Sequence, residues 1–310
     1  MRLQPVFRDL TSGSRLLTLV LVILLCGILS LSFSYLLSVL IWGKSVLEGS
    51  GDPDMMNLGF MRLTQMLNQV GFFLLPPFVF ALLSERYPLL FLGFYKPGFT
   101  HIIAALLLLL AAGPLTGYLT EWNERLILPP QLSGLEEWMR TSEDTASKLT
   151  NRLLNDTGTS ALIVNILMIG VLPSLGEELL FRSALIGLFR KVFHGVHLPV
   201  IISAFLFSAL HLQFFGFLPR FMLGLLFGYL YVWSGSIWVP IVAHFLNNTI
   251  VVVASFLFNQ GISSIPAEEM GSASSGIGVV FSTIALLFLM FWVYYTRKNA
   301  TISGGIQDDL

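Results

Sequence analysis

The stretch Leu16–Trp42 contains no Asp, Glu, Lys or Arg, and it is longer than the roughly 20 residues a helix needs to cross a bilayer. A run of this kind leaves few options. Inside hydrocarbon every backbone N–H and C=O must be satisfied within the segment, which restricts a lone apolar run to a helix. Further apolar runs follow, and eight spans can be drawn: Leu16–Trp42, Met66–Ser84, His101–Leu119, Ala161–Phe189, Leu198–Phe214, Arg220–Trp233, Ile237–Phe258 and Ile277–Tyr295. Only 11% of the 310 residues are charged, against about 25% in soluble domains. The expected fold is therefore an all-α integral membrane protein of about eight transmembrane helices. Its functional core falls in helices four to seven.

The first run follows Arg2, Arg8 and Arg15 but is too long for a signal-peptide core, so it reads as a retained helix. Pro76-Pro77 and Pro173 are expected to kink the second and fourth spans. Gly224 and Gly228, four apart, let helices approach closely and read as internal packing. Glu121–Ser160 is polar, with Leu135, Trp138, Met139, Leu149 and Leu153 at near-helical spacing. Two readings of it stand: an amphipathic helix at the membrane interface and a solvated loop. Three segments result: 1–160 with three spans and this interfacial piece, 161–258 as core, and 259–310 with the last span and a polar tail.

A net charge of −1 gives no basic footprint for nucleic acid. Cys26 is the only cysteine, which excludes an intramolecular disulfide and a cysteine-based metal site. With eight spans both termini share one face. That face carries nine basic residues (Arg2, Arg8, Arg15, Arg86, Lys96, Arg190, Lys191, Arg297, Lys298) against seven opposite (Lys44, Arg62, Arg125, Arg140, Lys148, Arg152, Arg220). The positive-inside rule then puts the termini in the cytoplasm, and the expected location is a bacterial cytoplasmic membrane. No oligomeric state is implied.

All seven aspartates lie in loops or tails, and among eleven glutamates only Glu177 and Glu178 lie well inside a span. Arg182, His211 and His244 are the other ionisable residues placed there. Each buried charge opposes insertion by about 2.5–3.5 kcal/mol, so such residues face a protein interior or a watered cavity. Glu178 and Arg182, at i and i+4, form an expected ion pair. Glu177 then needs a partner elsewhere. It precedes Arg190 by 13 residues, and His211 follows Leu198 by 13. At ~1.5 Å per residue both lie roughly 20 Å from the same turn. His244 and Asn248, 7 and 11 residues past Ile237, share one helix face. Three helices thus bring a carboxylate, two imidazoles and an amide to a similar depth.

A carboxylate in such a cavity can serve as general base, and with His211 it can hold and deprotonate a water. His244 and Asn248 offer N–H donors for a developing oxyanion. The residues alone do not choose between Glu177 and Glu178 as the base. Aspartyl chemistry lacks its intraspan aspartates, and the zinc motif His-Glu-x-x-His is absent. Ser208 has no Gly-x-Ser-x-Gly context. No cofactor is expected, although zinc held by Glu177, His211 and His244 is chemically reasonable. A binding or immunity protein without hydrolysis and a proton-relaying transporter are the competing classes.

Three motifs together resemble a known family. Glu177-Glu178-x-x-x-Arg182, Phe207-x-x-x-His211 and His244-x-x-x-Asn248 are similar, in order and within consecutive spans, to those of the CAAX prenyl endopeptidase and bacteriocin-processing (CPBP, or Abi) family. The resemblance covers roughly 161–258. It implies a glutamate-dependent intramembrane endopeptidase acting on a peptide or protein substrate in the bilayer, lipidated CAAX-type tails among the candidates. It also implies Glu177 as catalytic glutamate, His211 as water-holding histidine, and His244 with Asn248 as the oxyanion pair. Glu178, Arg182 and Phe207 are supporting residues.

Overall fold

The computed structural model describes residues 6–7, 9–47, 56–266 and 276–304, with side chains to residue 296. Arg2, Arg8, Asp52, Asp54, Asp308, Asp309 and the side chains of Arg297 and Lys298 lie outside them. The described residues contain helices and no strand. They form α1 (Ser12–Trp42), α2 (Leu58–Ser84), α3 (Phe99–Glu124), α4 (Ser133–Leu154), α5 (Thr159–Phe189), α6 (His197–Ala209), α7 (Phe217–Ser234), α8 (Trp238–Asn259) and α9 (Gly276–Gly304). Seven of these, all but α4 and α6, are long and apolar enough to cross a membrane. The fifth expected span is shorter than predicted. α6 has only 13 residues, and the chain turns at Leu210–Leu212, so His211 lies just past the helix end rather than within it.

Ion pairs and polar bonds mark two faces. On the first, Arg15 of α1 and Lys191 after α5 both meet the Glu85 carboxylate, at 2.7 and 3.1 Å. On the second, Arg62 at the start of α2 meets Asp156 at 3.0 Å, and Arg152 of α4 donates to the Met56 carbonyl. α1 starts at the first face. Counting the short α6 with the seven long helices, the chain runs alternately between the two faces, and α9 ends at the face from which α1 started. Glu121–Ser160, left open between helix and loop, contains the surface helix α4 on the second face, where Leu153 is buried against Met61 and Met168. The preceding residues 125–132 form an irregular link with one short helical turn.

Proline shapes the two helices that carry the site. Lacking an N–H and crowding the carbonyl four residues back, Pro76-Pro77 and Pro173 force the helix to open ahead of them. The response is a widened π turn in each case, Val70–Leu74 in α2 and Ile166–Val171 in α5. A third π stretch, Glu178–Leu185, follows in α5. Such bulges recur at functional sites. Small residues let the helices meet. A Cβ on Gly71 would clash with Ser30 Cβ, and one on Gly228 would stand 2.8 Å from Val200 Cγ1. Gly224 lies against Ala204, so the Gly224/Gly228 pair serves the internal α6–α7 contact. Gly71→Ala forces α1 away from α2 and is expected to cost about 1–3 kcal/mol of stability. An unchanged unfolding temperature in detergent would show that the contact yields freely.

The second face carries a pH signature. The Gly158 N–H and, after it, Arg62 hold the Asp156 carboxyl below its ordinary range. A depressed carboxyl contributes stability above its unfolded value, near pH 4. That contribution is lost as pH falls through the folded value. Asp156→Asn is expected to flatten the decline of unfolding temperature on acidification below about pH 4; an unaltered acid limb would assign that decline to other groups.

Candidate active site

The site grows out of α5. Glu178 and Arg182 are fully buried, and Glu177 and His244 nearly so. The Arg182 Nη1 atom stands 3.1 Å from Glu178 Oε1, so the expected pair exists as an ion pair. Its N–H is not aligned as a hydrogen bond. The same oxygen takes the Nδ1–H of His244 at 2.8 Å, because a carboxylate can only accept. Arg182 also donates weakly to the Gly224 carbonyl at 3.4 Å. Its guanidinium lies 4.3 Å from the Phe207 ring centre and 5.6 Å from that of Phe227. Aromatic faces stabilise a cation that cannot reach water.

Phe207 joins the two histidines. Its ring lies 5.0 Å from the His211 ring and 5.9 Å from that of His244, edge-on to both. His211 Nδ1 donates to the Phe207 carbonyl at 2.7 Å. A carbonyl cannot donate, so in the neutral ring this bond leaves the proton on Nδ1 and a lone pair on Nε2. The turn that carries His211 is fixed from three sides. Asn123 at the end of α3 donates to the Phe214 carbonyl and accepts from the Leu218 N–H, each at 2.9 Å. Glu143 of α4 accepts from the Phe215 N–H at 3.1 Å. Arg220 grips Gln213 through its backbone and side-chain oxygens. Leu212, with φ of 55°, holds a left-handed conformation that costs a branched residue energy and that such surrounding bonds sustain.

Glu177 faces a cavity of about 230 Å³ lined by Gln65, Asn68, Gln69, Phe73, Glu177, Phe181, Phe207, Leu210 and His211. Glu177 Oε2 stands 4.0 Å from His244 Nε2, and Glu177 Oε1 accepts the Gln69 Nε2–H at 3.1 Å. The rim residues Gln65 and Leu210 are exposed, and both lie toward the second face. The structure therefore brings Glu177 and His211 to one cavity, as their depth predicts, with His244 between the two glutamates.

Asn248 is placed differently. It does not line the cavity; its amide donates to the Ile169 carbonyl at 2.9 Å and its oxygen accepts from Asn247. Pro173 explains this, since it has no N–H to return to the carbonyl of Ile169, four residues before it. Among the described residues, no three His, Cys, Asp or Glu side chains converge as a metal-ligand set, so Glu177, His211 and His244 are not gathered in that way. Gln69, Asn123 and Glu143 are absent from the sequence-derived list. An uncharged amide within an apolar run was the available signal for Gln69.

Fold and site together define a polytopic helical membrane protein with a buried Glu–His–Arg network beside an open cleft. The family described as type II CAAX prenyl endopeptidase Rce1-like matches residues 159–250, which hold all three motifs. The match falls on the segment that carries the resemblance to the CAAX-protease family. No curated protein and no solved structure matches the chain.

Arg182→Ala leaves Glu178 buried without its cation and is expected to cost about 3–5 kcal/mol, read as lost yield and unfolding temperature. Arg182→Met with Glu178→Gln removes both charges and should recover part of that loss. Equal stability of Arg182→Ala and the parent would refute the pairing.

Proposed function

We propose that the protein is an intramembrane endopeptidase that hydrolyses a peptide bond with a water activated by Glu177 and His211. The observation that carries this reading is the shared cavity of about 230 Å³, lined by a carboxylate and by an imidazole whose Nε2 lone pair is left free by the Nδ1 bond. Glu177 takes a proton from the water as its oxygen attacks the carbonyl carbon. His244 Nε2, when protonated, is the donor for the oxyanion that forms. The Asn248 amide, with one hydrogen given to Ile169, retains a second. Collapse of the intermediate breaks the C–N bond, and Glu177 returns the proton to the leaving amine. Glu178 and Arg182 hold His244 in place and do not touch substrate.

The Gln69 bond to Oε1 and the nearby His244 fix the orientation of the Glu177 carboxyl. Glu178 has both its near neighbours on one oxygen and faces none of the cavity, which favours Glu177 as the base. The substrate class that the family resemblance supports is a membrane-associated peptide, with farnesylated CAAX tails as the first test. The cavity rim lies on the face opposite the α1 start. With cytoplasmic termini the cleft is entered from outside; with the reverse orientation it is entered from the cytosol. A membrane-binding or immunity role without hydrolysis is the second reading; it predicts that peptide binds and no product forms.

Purified protein is expected to cleave a fluorogenic farnesylated CAAX peptide or its unprenylated twin, with activity that survives chelation. Glu177→Gln and His211→Ala should each lower the rate by at least about 10²-fold while leaving insertion and folding intact. Retained activity in either variant would overturn the mechanism.

A further inference from the structure

The cavity wall opposite α5 belongs to α2, and its polar part is built of amides alone. Gln65, Asn68 and Gln69 face Glu177 and His211, and the remaining lining is Phe73, Phe181, Phe207 and Leu210. Gln69 is 7% exposed. Its orientation is fixed chemically, because the carboxylate of Glu177 can only accept, so the Gln69 nitrogen must face it. The Gln69 oxygen then points elsewhere. Among the described residues it has no hydrogen-bond partner, and neither has the Asn68 oxygen, although both atoms are buried. Unpaired buried acceptors are uncommon in native structures and ask for an explanation.

A substrate supplies one. A peptide cut inside a membrane must leave its helix near the scissile bond, since a helical amide is enclosed by its neighbours. Unwinding frees backbone N–H groups in a site too apolar to satisfy them. Asn68 and Gln69 are adjacent lining residues of α2, and a bound peptide would reach their unpaired, buried oxygens by a side-chain rotation; apart from Gln65, Glu177 and His211, the rest of the lining is phenyl and leucyl surface.

We propose that the α2 amides form a backbone-binding subsite for an unwound peptide: the Asn68 and Gln69 oxygens accept N–H groups flanking the scissile bond, while the Gln69 nitrogen positions Glu177. The inference rests on the peptidase reading. It makes recognition depend on peptide backbone more than on side-chain identity. Gln69 is here a positioning residue for the glutamate as well as a contact for the substrate.

The test uses the full-length protein in mixed micelles. A library of farnesylated CAAX and membrane-anchor peptides is cleaved and its cut site mapped by mass spectrometry. Each amide flanking the cut is then replaced, one at a time, by an ester, which deletes the N–H and keeps the shape. In the parent protein at least one ester should lower kcat/KM by about tenfold or more, the order expected for a lost buried hydrogen bond. In Gln69→Met or Asn68→Leu the same ester should cost little more than its amide, whatever the variant's absolute rate. A loss of folding or of Glu177 positioning lowers both substrates together and leaves their ratio unchanged. Equal ester penalties in parent and both variants overturn the subsite and leave the peptidase standing. Absence of any cleavage by the parent overturns the peptidase reading and the subsite with it.

Discussion

A fully buried carboxylate, Glu178, is the constraint from which the rest of the site follows. A charge held in this environment is costly unless it is paired, and Oε1 of Glu178 gathers both an arginine one turn along the same helix and an imidazole from another. The arginine needs its own compensation and finds it in the rings of Phe207 and Phe227. Phe207 then fixes His211 through its carbonyl and His244 through its ring edge. One ion pair thereby ties α5, α6, α7 and α8 together. It leaves Glu177, the residue before Glu178, turned the other way into the cleft.

Proline does comparable work for the backbone. Pro173 strips the Ile169 carbonyl of an α-helical partner, and Asn248 supplies the replacement from α8. The third motif residue is thus a tie between helices. The π turns in α2 and α5 lie next to Gln69 and upstream of Glu177, the two residues whose side chains meet at 3.1 Å. The turn bearing His211 is a third fixed element. It is irregular and strained at Leu212, and α3 and α4 hold it through Asn123 and Glu143. The amphipathic helix thereby acquires a role as a brace at the mouth of the cavity.

Much of this was legible in the residues. The i, i+4 spacing announced the Glu178–Arg182 pair, and counting from the shared turn placed Glu177 and His211 level. The prolines marked the distorted turns, and Gly224 with Gly228 marked a close internal helix contact. The rest needed the third dimension. α6 ends at Ala209, where the chain turns through Leu210–Leu212, and hydropathy alone reads straight through to Phe214. Gln69 escaped because an amide carries no charge to flag it, although its burial is as anomalous in an apolar run. The bond between Asn248 and Ile169 joins residues 79 apart and becomes visible only once α5 and α8 are side by side.

The central claim is that water, directed by Glu177, attacks the peptide carbonyl with no covalent enzyme intermediate. Single-turnover cleavage in ¹⁸O-labelled water tests it most directly. The account predicts one ¹⁸O in the new carboxyl group of the product and none in the peptide fragment that contains Glu177. Label in the Glu177 carboxyl would mean that this residue attacks as a nucleophile and would contradict the account.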